Sequence, residues 1–258
     1  MGKVIAISNQ KGGVGKTTTS VNLAASLAAA NRRVLLVDLD PQGNAAMGCG
    51  VDKQTVNYSS YDLLMEEVPA SETVINIPDI GFSVIPGNGD LTAAEVELMQ
   101  ADHRERRLAD ALIPIKSDYD YILIDCPPSL NMLTLNAMVA ASSVLVPMQC
   151  EYYALEGLSA LMSTLKNIQD TVNPELYLEG ILRTMYDDRN RLTKDVSEQL
   201  IRYFGDKVFR TCIPRNVRLA EAPSHGLPVL SYDKSSRGAV AYITLAGEMI
   251  RKEKHDGA

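Results

Sequence analysis

Short, unbroken apolar runs alternate along this chain with longer stretches of helical period. Strands are predicted at Lys3–Ser8, Arg33–Asp38, Tyr119–Asp125, Ser143–Pro147 and Leu176–Leu182. A helix rich in Ala and Leu is predicted at Lys16–Ala30, with Val21, Leu23, Ala24, Leu27 and Ala28 on one side. Further helices are expected from about Leu130 to Ala141, Thr193 to Tyr203 and Arg237 to Lys252. The strand runs do not alternate with polar residues, which is the pattern of a sheet covered by helices on both faces. Strand–helix alternation then predicts an α/β fold: a doubly wound, mostly parallel sheet flanked by helices. The stretch from about Gly48 to Gly89 mixes Pro, Ser, Asn and Gly with short apolar pieces, and is expected to form loops and short helices beside the sheet. With no low-complexity linker and no internal repeat, residues 1–258 are expected to form one domain.

Composition changes this picture little. Hydrophobic residues make up 46% of the 258 and charged residues 22%, ordinary values for a globular chain able to bury a substantial core. No run approaches the roughly 18 apolar residues of a membrane span. The start, MGKVIAISNQ, lacks the build of a signal peptide, so a cytoplasmic protein is expected. Cys49, Cys126, Cys150 and Cys212 are widely spaced, contain no C-x-x-C pair, and read as reduced thiols.

Three stretches carry chemistry, and each directly follows a predicted strand. In QKGGVGKTTT (Gln10–Thr19), Gly15-Lys16-Thr17 closes a phosphate-binding loop. The opening glycine of the usual pattern is replaced by Gln10, and a second lysine, Lys11, stands beside it. Glycines let successive backbone N–H groups turn toward one phosphate cluster, and the following helix points its positive end there. Lys16 would meet the β- and γ-phosphates, and the Thr17 hydroxyl would ligate Mg²⁺. YILID (Tyr121–Asp125) has the shape of a Walker B strand, whose acid binds Mg²⁺, commonly through water. VLLVDLDPQGN (Val34–Asn44) places two carboxylates just past a strand. One of them could orient a water for attack on the γ-phosphate; alternatively, Asp38 caps a turn and Asp40 merely precedes Pro41. In open parallel sheets ligands sit at the carboxyl ends of strands, so the three stretches should gather at one edge.

Together these stretches resemble the ParA family, specifically its chromosomal Soj branch. KGGVGKT is the deviant Walker A form with a signature lysine; VDLDPQGN and LIDCPPS have the matching spacing; QCEYYALEGL (Gln149–Leu158) and IPRNVRLAEAPSHGLP (Ile213–Pro228) extend the likeness from Lys3 to about Ile250. The resemblance implies an ATPase, slow and stimulated by a partner, that binds ATP and Mg²⁺ and forms a nucleotide-sandwich homodimer. Nucleotide would be held by Lys11, Gly12, Gly13, Val14, Gly15, Lys16, Thr17 and Thr18, with Pro214 and Asn216 at the adenine. Thr17 and Asp125 would serve the metal. Lys11, Lys16 and Asp40 would be catalytic, Lys11 reaching the partner's phosphates and Asp40 positioning the hydrolytic water. Gly12 would lie where the two backbones approach closely. Arg189 and Arg218 match basic residues implicated in DNA binding. A ParB-like, centromere-bound protein would be the partner, and the nucleoid the location.

Net charge is −7, which by itself disfavours a polyanion as ligand. Its distribution is uneven: residues 180–218 hold nine bases and five acids, a local +4. That is a candidate surface for phosphates of double-stranded DNA, without sequence preference since no reading module is visible; the alternative is a solvated, mixed-charge helical face. Rival readings on the same loop are weaker. A MinD-like, membrane-cued positioning ATPase would need a basic amphipathic C-terminal helix with bulky apolar residues. The tail AYITLAGEMIRKEKHDGA lacks Phe and Trp, and Val240, Ile243, Met249 and Ile250 suit packing against the domain, so no membrane anchor is expected. An iron–sulfur ATPase of the nitrogenase iron-protein type would need a partner thiol for Cys126. A dethiobiotin-synthetase-like ligase would need a further substrate pocket. The strand before the loop begins at residue 3, so the N-terminal DNA-reading domain of longer plasmid ATPases is not expected.

Overall fold

The computed structural model describes the backbone of residues 2–256 and the side chains of residues 2–253. Its eight strands are β1 (Lys3–Ile7), β2 (Val34–Asp38), β3 (Ile75–Ile77), β4 (Phe82–Ile85), β5 (Tyr121–Asp125), β6 (Ser143–Gln149), β7 (Tyr177–Tyr186) and β8 (Val208–Pro214). Its helices are α1 (Lys16–Ala29), α2 (Asn44–Met47), α3 (Ser60–Leu64), α4 (Ala70–Thr73), α5 (Leu91–Glu97), α6 (Arg107–Leu112), α7 (Met132–Ala140), α8 (Ala154–Thr171), α9 (Arg191–Phe204), α10 (Val217–Glu221), α11 (Val229–Tyr232) and α12 (Arg237–Asp256).

Among the described residues, all strands join one sheet in the order β3-β4-β2-β5-β1-β6-β7-β8, and only the β3–β4 pair is antiparallel. The interior strands β2 and β5 are buried at every residue. That explains their unbroken apolar sequences: each face meets its own core. One core packs β1, β5 and β6 against α7 and α8 through residues such as Ile122, Met138 and Leu161. The other packs the same sheet against α1 and α12 through Leu23, Leu36, Leu123 and Tyr242.

Several predicted features need correction. The stretch 48–89 does hold short helices, but also β3 and β4, and all four residues of β4 (FSVI) are buried. So short a run carries too little period to separate strand from loop. β8 (VFRTCIP) was also not expected, because Arg210 and Thr211 interrupt its apolar run. The long helix α8 was missed although Leu158, Leu161, Leu165 and Ile168 mark its buried stripe at helical spacing. α1 is not one-sided: Val21 to Leu27 are all buried, because α12 covers the side that the sheet does not. On α12 the packed residues are Ala239, Tyr242, Leu245, Ala246 and Met249, with Ile250 against them; Val240 and Ile243 are exposed. Residues 257 and 258 of the tail lie outside the described ones. Cys49, Cys126 and Cys150 are buried free thiols, and Cys212 is partly exposed.

Candidate nucleotide site

The carboxyl ends of β1, β2 and β5 meet at one edge, as their register requires: Asp125 lies opposite both Ile7 and Asp38. The phosphate loop follows β1. Gly13 and Gly15 adopt left-handed backbone, φ 71° and 86°, which a side chain would oppose. Gly12 and Gly13 face open space, with nothing within 4 Å of where a Cβ would stand. Val14 is buried, and its carbonyl accepts from the Thr184 hydroxyl at 2.7 Å, which ties the end of β7 to the loop.

The two lysines point to different places. Lys16 is buried, and its ammonium donates to the Lys11 carbonyl at 3.2 Å. Burial pushes its pKa down, opposed by the charges of Asp125 and Asp40. Lys11 is half exposed and pairs with the Glu151 carboxylate. Its backbone N–H is held by Asn9 Oδ1 at 3.0 Å, while Asn9 Nδ2 donates to the Pro147 carbonyl at 2.8 Å. The loop's shape is therefore fixed from β6, and the Lys11 side chain is left facing outward.

Asp125 is fully buried, and each of its oxygens accepts one hydroxyl: Thr17 at 2.8 Å and Ser20 at 2.7 Å. Burial raises its pKa to about 6, against the lowering effect of those two hydrogen bonds. Asp38, also fully buried, is raised to about 8 by burial and by the charge of Asp125. Asp38 accepts from the backbone N–H of Asp40 at 3.1 Å and of Ala46 at 2.9 Å, so it is the turn-capping acid of the pair. Asp40 is partly exposed and takes only the Gln42 N–H, at 2.9 Å, on its Oδ1. A hydroxyl–carboxylate pair of hard oxygen donors is the chemistry that Mg²⁺ takes, so Thr17 and Asp125 fit such an ion.

Beside the loop lies a cavity of about 190 Å³ lined by Gly15, Thr18, Thr184, Met185, Pro214 and Asn216, among others. Pro214 ends β8, and Asn216 caps α10 with Oδ1 accepting the Leu219 N–H at 3.3 Å. Thr184 and Met185 carry no motif and were not foreseen; Met185 sits at φ 47°, a strained value for a side chain of its size. Ser20 could have been found, since it falls one turn after Thr17 on the same helix face.

Eight of the nine bases of the basic segment are exposed; Arg183 is the exception. Arg183 is buried, donating to the Ser197 hydroxyl at 2.8 Å and to the Phe209 carbonyl at 2.7 Å. Arg189 is exposed and forked onto Asp187 through Nε at 2.9 Å and Nη2 at 2.8 Å. Arg218 is half exposed and pairs with Glu221 at 2.8 Å and Asp233 at 3.3 Å. The nine bases thus come from β7, α9, β8 and α10 and the turns beside them, not from one helical face.

Comparison with known proteins bears on the family and the fold. A family model described as an AAA domain matches residues 2–178. The sporulation initiation inhibitor protein Soj of Bacillus subtilis is 53% identical over 249 residues, covering 96% of this chain and 98% of its own. The chromosome partitioning protein ParA of Myxococcus xanthus is 51% identical over 253 residues, covering 98% and 89%. This chain belongs to the ParA/Soj family of chromosome-partitioning ATPases. A solved structure from Mycobacterium smegmatis, named cobyrinic acid a,c-diamide synthase with bound ADP and magnesium, superposes with a TM-score of 0.86 at 38% identity over 98% of this chain and 96% of that one.

Proposed function

We propose that this member of the ParA/Soj family is an ATP-dependent dimerising switch that binds DNA without sequence preference and segregates chromosome origin regions with a ParB-like protein. The observation that carries the reading is the divergence of the two lysines: Lys16 is buried under its own loop, while Lys11 faces out, half exposed. A buried ammonium serves the nucleotide of its own chain, and an outward one can reach the phosphates bound by a second copy.

In this reading, the N–H groups of Gly12 to Thr18 cradle the phosphates at the start of α1, and the 190 Å³ cavity takes the adenine against Pro214 and Asn216. Mg²⁺, held at Thr17 and Asp125, would neutralise phosphate charge. Asp40 accepts a hydrogen bond from the attacking water and so orients it. Lys11, arriving from the partner, stabilises charge on the transferred phosphoryl group, an effect of about 10³–10⁵ for fingers supplied in trans to GTPases. Two copies double the basic surface bearing Arg189 and Arg218, so nucleotide state sets DNA affinity. Release of monomers follows hydrolysis, which the ParB-like partner accelerates at the nucleoid.

The MinD-like alternative would need a membrane-binding helix. No described helix is long and apolar enough to cross a membrane, and α12 packs Tyr242, Leu245 and Met249 into the core. A ligase reading would require a second substrate pocket against the phosphates. A cavity of about 560 Å³ lies elsewhere, between α5, α7 and α8, lined by apolar residues such as Val96, Met99 and Leu135.

DNA binding with and without ATP, for wild type and Asp40→Ala, tests the proposal. ATP-dependent binding is expected in both, longer-lived in Asp40→Ala. Binding that ignores ATP, or normal turnover by Asp40→Ala, would sink it.

A further inference from the structure

The turn that carries Asp40 is braced by a part of the chain that holds no nucleotide motif. Asp38 anchors the turn from inside through the N–H groups of Asp40 and Ala46, and the Gly43 N–H donates to the Asp40 carbonyl at 2.8 Å. The outside is covered by the segment leaving β4. Val37 lies opposite Ile85 in the sheet, so Pro86 and Gly87 continue beside Asp38. Gly87 is buried, and a Cβ there would stand 2.7 Å from the Asp38 carbonyl oxygen and 3.0 Å from that of Asp40. Gly43, at φ 61°, meets it from the other side: a Cβ would fall 2.4 Å from the Gly87 oxygen. Two backbones touch here, with room for no side chain.

Ser60 ties the two strands of this contact together. It is fully buried; its hydroxyl donates to the Asp38 carbonyl at 2.7 Å and its N–H to the Pro86 carbonyl at 2.8 Å. Its position is set by the start of α3, where Ser59 and Asp62 form a capping box. Because Gln42 N–H holds the Asp40 carboxylate, that carboxylate follows the turn's backbone.

We propose that Gly87 and Ser60 are positioning residues for ATP hydrolysis, forming a shoulder that fixes the turn carrying Asp40. Neither lines the phosphate loop or the adenine cavity, so the shoulder governs the chemical step and not nucleotide affinity. The inference rests on Asp40 as the residue that orients water. Displacement of such a group by about 1 Å can cost about 10²-fold in rate.

The test compares Gly87→Ala, Ser60→Ala, Gly89→Ala and Asp40→Ala for kcat, KM, melting temperature and binding of a fluorescent ATP analogue. Gly87→Ala should lower kcat by about 10- to 100-fold, with analogue affinity within about threefold of wild type. Ser60→Ala should lower kcat by about three- to tenfold at unchanged KM, the loss of one hydrogen bond. Gly89→Ala, whose added Cβ meets nothing within 4 Å, should turn over normally. A folded Gly87→Ala protein with wild-type kcat, or one that loses nucleotide binding and turnover together, overturns the inference. Should Gly87→Ala not fold, Ser60→Ala decides alone, and an unchanged kcat overturns it. Normal turnover by Asp40→Ala overturns the water-orienting role beneath it. An inactive Asp40→Ala beside an active Gly87→Ala overturns the shoulder only.

Discussion

Asn9–Ser20 and Arg183–Arg218 are both dense in chemistry-bearing residues, yet the folded chain treats them differently. In the first stretch, Thr17 and Ser20 both donate to Asp125, and the Lys16 ammonium donates to the Lys11 carbonyl. In the second, Arg183 turns into the core, Arg189 forks onto Asp187, and Arg218 is shared between Glu221 and Asp233. The difference lies in what each signal was. The loop is a spacing of particular residues on a strand–turn–helix unit, so local geometry brings Lys16, Thr17 and Ser20 together, and the pairing of β1 with β5 adds Asp125. The basic segment was a count of charges over elements whose relative placement depends on the rest of the chain.

The sharpest way to break the first half of this comparison is Lys11→Ala. Nucleotide binding should persist, while turnover falls by about 10³-fold or more, the low end for a cationic group supplied in trans. A fully active variant in a steady-state ATPase assay would refute a role for Lys11 at the partner's phosphates. Arg183→Met probes the second half. It strands the Phe209 carbonyl and the Ser197 hydroxyl, and should cost about 2–4 kcal/mol in denaturant melts. Salt-dependent DNA binding of the folded fraction should be unchanged; a shallower slope would make Arg183 a DNA contact.

Charge removal at Arg189 or Arg218 should weaken DNA binding and leave ATP binding intact. Each lost phosphate contact makes the log K versus log salt slope shallower by about 0.9. An unchanged slope after both changes would put the DNA surface elsewhere.

The smallest effect expected is at Glu248, whose carboxylate accepts from the N–H groups of Arg210 and Thr211 and from the Thr211 hydroxyl. Burial opposes its charge, but these hydrogen bonds prevail and hold its pKa below the ordinary 4.5. A depressed carboxylate stabilises the fold above its unfolded value and loses that contribution as pH falls through its folded one. Glu248→Gln should therefore flatten the loss of melting temperature below about pH 4.5. An identical acid limb would show that Glu248 carries no such linkage.

Much of the fold was legible because both faces of the central strands are covered. Unbroken runs such as VLLVD and YILID leave little alternative to a buried parallel strand. Legibility failed where an element is short, as in β4, or interrupted by polar residues, as in β8. It failed on α12 for another reason. Val240 and Ile243 are as apolar as Met249, and only the angle at which the helix lies on α1 decides which of them faces the core.

The site divides along the same line. Sequence by itself determined that each motif follows a strand, the phosphate loop with its spare lysine, and the acids at the ends of β2 and β5. These features are local: a few bonds of chain fix their geometry, and parallel strands carry them to one edge. Tertiary structure alone decided the rest. It set Glu151 beside Lys11, Thr184 under the Val14 carbonyl, and Ser60 and Gly87 against the Asp38–Asp40 turn. These contacts join residues far apart in the chain through single hydrogen bonds or bare backbone, which leave no period or composition to read. A glycine that matters because another backbone touches it looks, in sequence, like any glycine in a loop.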